Sequence, residues 1–253
     1  MVKQKIMRIA LLGYGKMGKE LERLITKEKK HEIVSISFKN EKEKIDTKGI
    51  KKADVVIDFT SPQIVLENIK KICNLRKNMV VGTTGWYQHL NEVEKMVKKS
   101  NIGLIYSPNF SIGANIFFKI ISFSAKLLSN FSNYYDVFGF EIHHRGKKDS
   151  PSGTALKIAK EILKNFQTKK TIQTEKLNRK IYPEELHFAS IRGGRNPGFH
   201  QVVFDSPADE IVLSHSAHNR EGFAKGAILA AEFIKDKKGF YNFEEIFLKG
   251  RFF

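Results

Sequence analysis

Short apolar runs alternate with longer amphipathic segments over residues 6–109, and this alternation constrains the fold more than any other feature. Runs with the length and β-branched content of buried strands occupy residues 6–13, 32–38, 53–60, 78–84 and 101–109. Residues 16–28 and 87–100 have the spacing of amphipathic helices, and Ser61 followed by Pro62 predicts the start of another. Strands that alternate with helices are joined by right-handed crossovers. The pattern therefore predicts an α/β fold with a doubly wound parallel sheet.

The pattern changes after Asn109, which indicates a second domain. A helix is expected over about 113–130, a strand over 134–144 and a second helix from Pro151 to about Phe166. Three further apolar runs predict antiparallel strands joined by turns, at 186–194, 199–205 and 209–217. The segment between them and the helix, 167–180, is expected to be a loop or an edge. The second domain is thus of α+β type with a mixed or antiparallel sheet, and a final helix is predicted over 221–234.

The chain carries 44 lysines and arginines against 27 acidic residues, a formal net charge of +17. The lysines are dispersed, and no zinc-finger spacing or RNP-type aromatic motif accompanies them, so we expect no nucleic-acid partner. No uninterrupted apolar run reaches the ~20 residues that span a bilayer, and the single cysteine, Cys73, suits a reducing compartment. We therefore expect a cytoplasmic protein without a membrane partner, whose charge attracts an anionic small molecule.

The segment GYGKMG, residues 13–18, follows the first predicted strand and opens the first helix. Gly13 allows a tight turn, Gly15 lets the backbone approach a pyrophosphate, and Gly18 permits close packing of helix on strand. The helix start adds free N–H groups and the positive end of a dipole. Alone, a short glycine motif also fits a structural turn, but in this context it predicts a dinucleotide site.

The end of the second predicted strand bears on cofactor choice. It reads Phe38-Lys39, and no carboxylate occurs before Glu41. A carboxylate there would bind the adenine ribose, whereas a lysine attracts a 2′-phosphate. Lys39 therefore favours NADPH, or use of both NADPH and NADH, over strict dependence on NADH. The alternative is that Lys39 is one more surface lysine.

Two other strand ends lie where open α/β sheets bind their ligands. Gly82, Thr83 and Thr84 follow the fourth predicted strand, and we expect them to line the nicotinamide side of the crevice. The segment 107–113 follows the fifth strand, where the backbone and Asn109 are placed to meet the nicotinamide carboxamide.

The segment EIHHRGKKDSPSGTA, residues 141–155, places histidines and cations directly before a predicted helix. Ser150 is the expected N-cap and Pro151 the first helical residue. Ser152, Gly153 and Thr154 then fill the first turn, where backbone N–H groups without intrahelical partners bind an anion such as a carboxylate.

His143, His144, Arg145 and Lys147 make this helix start strongly cationic. An unperturbed histidine titrates near pH ~6.5, which suits proton donation at neutral pH. A basic surface loop is the alternative, but we favour a functional site because these groups lie beside an anion site in a dinucleotide-binding chain. No metal site is expected, since adjacent histidines point apart on a strand and no second cluster has zinc-like spacing.

Seven motifs of the chain are, in order, GYGKMG, DVVIDFTSP, VGTTGW, SPNFSIGAN, EIHHRGKKDSPSGTA, IRGGRNPGFHQVVF and SHSAHNREGFAKGA. Together they resemble the 4-hydroxy-tetrahydrodipicolinate reductase (dihydrodipicolinate reductase) family of the bacterial lysine and diaminopimelate pathway. The resemblance implies reduction of a cyclic, doubly carboxylated imine with NADPH or NADH. Hydride then moves from the nicotinamide to the ring, and a proton is delivered to the resulting enamine carbon.

The resemblance also implies roles for individual residues. His143 matches the proton-donating histidine, Lys147 the catalytic lysine and His144 a substrate contact, while Gly153 with Thr154 matches a carboxylate-binding pair. The implied cofactor contacts are Gly13, Tyr14, Gly15, Lys16, Met17, Gly82, Thr83, Thr84, Ser107, Pro108, Asn109 and Phe110. Residues 1–110 and 220–253 would form the Rossmann-type dinucleotide-binding domain, and residues 111–219 would bind substrate and assemble a homotetramer.

The chain departs from the family pattern at three places. The glycine loop is one residue shorter than the common form, Lys39 stands where many members have an acidic residue, and Gly146 stands where some have a third histidine. Two alternatives stay open. One is another NAD(P)-dependent two-domain dehydrogenase that acts on a carboxylated substrate. The other, a non-catalytic dinucleotide-binding protein, would not need His143 and Lys147 together.

Overall fold

The computed structural model describes residues 6–38 and 45–248, which form two compact units. The first unit combines the chain up to Ile112 with the segment from Arg220 onward, and the second runs from Gly113 to Asn219. The elements, with 3₁₀ turns at Tyr87–His89 and Ser129–Phe131, are β1 (Met7–Leu12), α1 (Lys16–Glu28), β2 (His31–Ser37), α2 (Thr47–Lys52), β3 (Val55–Asp58), α3 (Val65–Asn74), β4 (Asn78–Val81), α4 (Leu90–Ser100), β5 (Gly103–Tyr106), α5 (Ile112–Leu128), β6 (Asp136–His143), α6 (Gly153–Asn165), β7 (Thr171–Gln173), β8 (Glu185–Arg192), β9 (Phe199–Asp205), β10 (Glu210–Ser216), α7 (Glu221–Ile234), β11 (Gly239–Asn242) and α8 (Phe243–Leu248).

The first unit is built on a parallel sheet of six strands in the order β11-β5-β4-β3-β1-β2. Alternate residues along each strand enter two separate cores, because successive side chains point to opposite faces. Ile9 and Leu11 pack with α1, α7 and α8, whereas Ala10 and Leu12 pack with α2, α3 and α4. The predicted α/β class with a doubly wound parallel sheet is confirmed.

Hydrophobic periodicity predicts the bounds of two helices of this unit correctly and the start of a third incorrectly. The bounds of α1 and α7 match the predicted segments, since each carries a continuous buried stripe. The start of α3 was predicted wrongly. Residues 62–64 form a turn and the helix begins at Val65, while the Ser61 carbonyl accepts hydrogen bonds from Ile64 N at 3.2 Å and Val65 N at 3.1 Å.

Helix α7 approaches the segment that follows β5 so closely that a side chain at Gly226 has no room. A Cβ built on Gly226 would overlap the Phe110 carbonyl oxygen. Gly222, one turn earlier in the same helix, is different, because its Cβ would meet only Ser111 Oγ, at an ordinary 3.6 Å.

Gly226→Ala is therefore expected to lower the free energy of unfolding by about 1–3 kcal/mol, the usual cost of overpacking. Gly222→Ala is the matched control and should be neutral or add up to ~1 kcal/mol, since alanine has the higher helix propensity. Urea unfolding of both variants measures this. Equal effects at the two positions would contradict the tight packing at Gly226.

The second unit has a mixed sheet of five strands in the order β10-β9-β6-β8-β7. Strand β9 is antiparallel to both of its neighbours, β10 and β6, whereas β8 is parallel to both β6 and β7. The predicted mixed sheet is confirmed, but the expectation that three consecutive antiparallel strands follow residue 185 is wrong. Strand β6 lies between β8 and β9, so these two are not partners.

Helices α5 and α6 supply the core of this unit together with the sheet. Among the buried residues, Phe117, Phe118 and Ile121 come from α5, Ile158 and Ile162 from α6. Over residues 112–131 the helix with its following turn is long and apolar enough to cross a membrane by length and composition, which the sequence did not lead us to expect. The core helix of a soluble protein passes the same test, and this one packs one face onto the sheet.

Candidate active site

The glycine loop after β1 has the geometry of an anion cradle at its centre and tight packing at its ends. Gly13 has φ +92°, and a Cβ there would overlap the Phe59 carbonyl oxygen, while one on Gly18 would overlap the Gly13 carbonyl oxygen. Gly15 is the N-cap of α1, has no side-chain cap and has no atom within 4 Å of a built Cβ. The amides at the start of α1 therefore lie open to an approaching anion.

The three side chains in this loop differ in exposure. Lys16 is exposed, and Met17 packs partly against the core. Tyr14 is half-buried and donates a hydrogen bond to the Glu22 carboxylate. Lys16 is thus the cationic side chain of the loop that is free to meet a phosphate.

A buried carboxylate that the sequence analysis did not single out organises the neighbouring strand ends. Asp58, at the end of β3, is fully buried. Its Oδ1 accepts bonds from Thr60 N at 3.0 Å, Thr60 Oγ1 at 2.8 Å and Thr83 Oγ1 at 2.7 Å, and its Oδ2 accepts one from Asn68 Nδ2 at 2.9 Å. Burial raises the pKa of Asp58, and the hydrogen bonds from these donors offset this effect only in part. The carboxyl group joins the turns after β3 and β4.

This network defines what the predicted residues after β4 can do. Thr83 is buried with its hydroxyl committed to Asp58, so contact with a cofactor would be made by its backbone. Thr84 is exposed. Gly82 packs against the Phe59 ring, which a Cβ would overlap.

The segment after β5 is fixed by its own hydrogen bonds. Ser107 Oγ donates to Asn109 O at 2.8 Å and accepts from Asn109 N at 3.1 Å. Pro108 is exposed, whereas the Phe110 ring is in the core against Phe59 and Phe243. Phe110 would therefore reach a cofactor only through its backbone. Lys39, also predicted to contact cofactor, lies outside the described residues.

In the second unit, helix α6 begins two residues later than predicted. Ser152, not Ser150, is the N-cap, and its Oγ accepts a hydrogen bond from Ala155 N at 3.1 Å. Pro151 therefore precedes the helix instead of starting it. The reason is a contact distant in sequence: Ser152 N donates to Glu141 Oε1 at 2.7 Å.

The residues that follow this cap are accessible to solvent, and the Gly153 backbone N–H already donates to the Asp149 carboxylate. Gly153 is exposed, with no atom within 4 Å of a built Cβ, and Thr154 is half-buried. Lys147 lies in the preceding loop, where its Nζ donates to Asp149 Oδ1 at 2.7 Å and Oδ2 at 2.9 Å. Ser152 itself is buried and its hydroxyl is committed, so Gly153 and Thr154 are the parts of the helix start that a ligand can reach.

Glu141 is a fully buried carboxylate of this unit, and it was not among the predicted site residues. Its Oε1 accepts from Ser152 N, Ser190 Oγ at 2.9 Å and Arg192 Nη2 at 2.8 Å, and its Oε2 accepts from Ser152 Oγ. Burial opposes ionisation, but the nearby His200 ring and the donors of Ser152 and Arg192 outweigh it and hold the pKa of Glu141 well below its usual range.

His143 and His200 flank this carboxylate. His143 Nδ1 lies 3.1 Å from Glu141 Oε2, although off the angle of a hydrogen bond, and His200 Nε2 lies 3.5 Å from the same oxygen. His143 is buried, and burial lowers its pKa to about 4, against the raising effect of Glu141. His143 is thus neutral at pH 7 in the unliganded chain. His144 is half-buried and held by a bond from its N to Asn196 O at 2.8 Å.

The buried His143 predicts a loss of stability in mild acid. Its pKa is about 4 in the fold, whereas an unfolded histidine titrates near ~6.5. The unfolded state therefore binds more protons between these values, and the free energy of unfolding falls as the pH falls, by at most roughly 3 kcal/mol. His215, whose pKa is also lowered by burial, acts in the same direction.

Urea unfolding between about pH 7 and pH 4.5 checks this sign. His143→Gln, whose side chain does not titrate, should show a shallower dependence than the wild type. If the free energy of unfolding changes equally with pH in the wild type and in His143→Gln, the lowered pKa of His143 is contradicted.

Glu141, His143 and His200 also have ligand atoms within 4.8 Å of one another, a spacing that suits a metal ion. Both oxygens of Glu141 already accept hydrogen bonds, and the Arg192 guanidinium lies against one of them. The donors present therefore fit a hydrogen-bonded network better than a cation, and the expected absence of a metal stays a prediction.

Comparisons with known proteins agree over both units. The family profile "Dihydrodipicolinate reductase, N-terminus" matches residues 7–110, and "Dihydrodipicolinate reductase, C-terminus" matches residues 113–247. A 4-hydroxy-tetrahydrodipicolinate reductase of Christiangramia forsetii is 36% identical over 240 residues, covering 95% of this chain and 97% of the relative. One from Buchnera aphidicola is 38% identical over 279 residues, with 99% and 100% covered.

Solved structures give the same picture. Dipicolinate-bound dihydrodipicolinate reductase from Paenisporosarcina sp. TG-14 superposes with a TM-score of 0.76 at 25% identity, covering 96% of this chain and 100% of that one. An amine dehydrogenase from Mycobacterium smegmatis shares the fold alone, with a TM-score of 0.60 at 8% identity over 96% of this chain and 97% of its own. The resemblance found in the motifs is confirmed: the chain belongs to the dihydrodipicolinate reductase family.

Proposed function

We propose that this protein reduces the dehydrated form of 4-hydroxy-tetrahydrodipicolinate to tetrahydrodipicolinate, with NADPH or NADH, in lysine and diaminopimelate biosynthesis. The relatives named above carry out this activity by name, and the solved relative holds dipicolinate, a planar ring with two carboxylates. A dianionic ring needs N–H groups and cations to bind it, together with an acid to complete its reduction.

The observation that carries the proposal is the arrangement in the second unit. The accessible helix start at Gly153 and Thr154, where a substrate carboxylate would take the place of Asp149, is fixed to Glu141 through Ser152, and Glu141 lies 3.1 Å from His143. A substrate carboxylate bound at the helix start would thus be held by the same network as the histidine. Lys147 lies next to this helix start. Its Nζ would supply a cation to the substrate carboxylate once that carboxylate replaces Asp149 as its partner.

The residues of the first unit fit a dinucleotide. Gly15 leaves the amides at the start of α1 open, and a Cβ there has no atom within 4 Å, as the approach of a pyrophosphate requires. When bound, the nicotinamide supplies the hydride. Lys39 would favour NADPH over NADH through attraction of its 2′-phosphate, while use of both stays within the proposal.

His143 supplies the proton. It is neutral in the unliganded chain, with a pKa of about 4. A dianionic substrate nearby favours the charged imidazolium and raises this pKa, so binding would recruit the proton. Hydride addition then builds electron density on the ring, and His143 transfers its proton to the enamine carbon, which regenerates the neutral imidazole.

The test is oxidation of NADPH or NADH by the purified protein, followed at the absorbance of the reduced nicotinamide. We expect turnover when the condensation product of aspartate semialdehyde and pyruvate is supplied, and none when pyruvate is left out. Absence of turnover with either cofactor would reject the proposal. Turnover with amino acids but not with this product would favour the alternative of another two-domain dehydrogenase, and the ratio of kcat/KM for the two cofactors decides the preference.

We also propose a cytoplasmic homotetramer assembled through the sheet of the second unit. The face of this sheet opposite α5 and α6 carries exposed apolar side chains, Phe138, Ile191 and Val212 at 41%, 49% and 45% exposure. Phe138 and Val212 lie in one row across the sheet, because each is in register with Val203 on β9. An apolar sheet face of this kind suits burial against another copy, and light scattering of the purified protein measures the assembly.

A further inference from the structure

Glu141 occupies a position where a carboxylate is costly. It lies on β6 with its side chain on the helix-covered face, fully buried, in register with Ser190 on β8 and His200 on β9. Moving a charged group from water into the protein interior costs roughly several kcal/mol per ion, unless hydrogen-bonding or ionic partners offset this cost. A glutamate at this place therefore needs a reason beyond packing.

The partners of Glu141 belong to the parts of the proposed substrate site. Two of the four donors are N and Oγ of Ser152, the cap of the helix whose next residues would bind a carboxylate. A third, Arg192 Nη2, also donates to Asp149 O at 2.6 Å, in the loop that carries Lys147. One carboxylate thus ties down the helix start and the lysine loop together.

Oε2 of Glu141, which also accepts from Ser152 Oγ, faces His143. Oε2 lies 3.1 Å from Nδ1 of this buried ring. A carboxylate at that distance repels a lone pair and attracts an N–H, so the proton of the neutral imidazole is favoured on Nδ1. Nε2 lies on the other side of the ring, 3.0 Å from the position of a Cβ built on Gly198. It is then the ring nitrogen that gains and loses a proton.

We infer that Glu141 is a positioning residue that fixes the Nδ1–H form of His143 and couples this ring to the carboxylate-binding start of α6. It acts through His143 and Ser152 and does not touch the substrate itself. The inference rests on the proposed function, since it assigns how the proton donor of that reaction is held.

The groups that face His143 define the expected effect of a change. Glu141 favours its charged form, whereas His200, Lys147 and Arg192 disfavour it. Replacing Glu141 with glutamine keeps the shape and an oxygen acceptor but removes the favourable charge. The ring then loses both its preference for Nδ1–H and the help it has in taking up a proton.

The experiment compares wild type, Glu141→Gln and Ser190→Ala by ¹⁵N chemical shifts of the His143 ring, with kcat measured over a range of pH. We expect Nδ1–H in the wild type, a shift toward Nε2–H in Glu141→Gln, and kcat lowered by about 10²-fold, the lower end of what loss of a general acid costs. Because His143 has a lower proton affinity in Glu141→Gln, kcat of this variant should begin to fall at a lower pH than kcat of the wild type as the pH is raised. Ser190→Ala removes a bond to Oε1, away from His143, and should keep the wild-type ring shifts.

Several results would overturn the inference. An Nε2–H ring in the wild type does so without any variant, which covers the case in which Glu141→Gln does not fold. Unchanged ring shifts in a folded Glu141→Gln, with or without lower kcat, would leave Glu141 a structural role only. The ring shifts need no substrate, so a failure of the proposed reaction is seen separately, as absent turnover in a wild type whose His143 is still Nδ1–H.

Discussion

Replacing His143 with alanine is expected to lower kcat by about 10²- to 10⁴-fold, the usual contribution of a positioned general acid. The ring is the buried imidazole nearest the Glu141 carboxylate, with Nδ1 at 3.1 Å from Oε2. Without it, the proton that completes the reduction must come from water. KM for the substrate should change less than kcat, because the helix start at Gly153 does not depend on His143 for its cap.

Two controls separate this role from folding. His144→Ala removes the neighbouring histidine, which we predict to be a substrate contact, and should raise KM more than it lowers kcat. Added imidazole should restore part of the activity of His143→Ala, since the deletion leaves a space beside Glu141 and Gly198. A kcat near the wild-type value, or equal kcat losses in the two histidine variants, would remove His143 from the proposed mechanism.

Much of the fold followed from local pattern, and the places where prediction failed share a cause. The helix α1 was bounded correctly because Leu21, Leu24 and Ile25 repeat at helical spacing and are buried. The start of α6 was not, because it is decided by Glu141, eleven residues before the cap in sequence. Local propensity favours Ser150 before Pro151 as a cap, but a buried carboxylate that requires donors selects Ser152.

The candidate site shows the same division. His143, Lys147, Gly153 and Thr154 were identified because they are close together in one segment. Glu141 belongs to the same segment, but its importance comes from Arg192 and Ser190 on β8 and from His200 on β9, far along the chain.

One signal for this network was available in the sequence. Glu141 and His143 are two residues apart on a strand, so they share a face, and a carboxylate on the covered face of a strand needs a partner. The register that brings His200 opposite Glu141 could not be read in this way, because β6 lies between β8 and β9 against the order of the chain.

Lys147→Ala is expected to have an effect of comparable size, a decrease of about 10²- to 10⁴-fold in kcat. Lys147 lies in the loop before α6, where its Nζ donates two hydrogen bonds to Asp149, at 2.7 and 2.9 Å. Its cation would stabilise the negative charge that builds on the ring after hydride addition and would hold a substrate carboxylate. Since the side chain is partly exposed, at 23%, and its ion pair is with the exposed Asp149, Tm should change little.

Lys148 offers the matched control, because it is adjacent, exposed and of the same charge. Lys148→Ala lowers the net charge equally, so any loss shared by both variants reflects weaker long-range attraction of the anionic substrate, which salt screens. We expect Lys148→Ala to keep kcat within about twofold of the wild type and Lys147→Ala to lose it at every ionic strength, because its contact with the substrate is direct. If the two variants lose activity equally, or if salt abolishes their difference, the lysine acts only through the general field of this basic chain, and the proposed contact at the start of α6 is wrong.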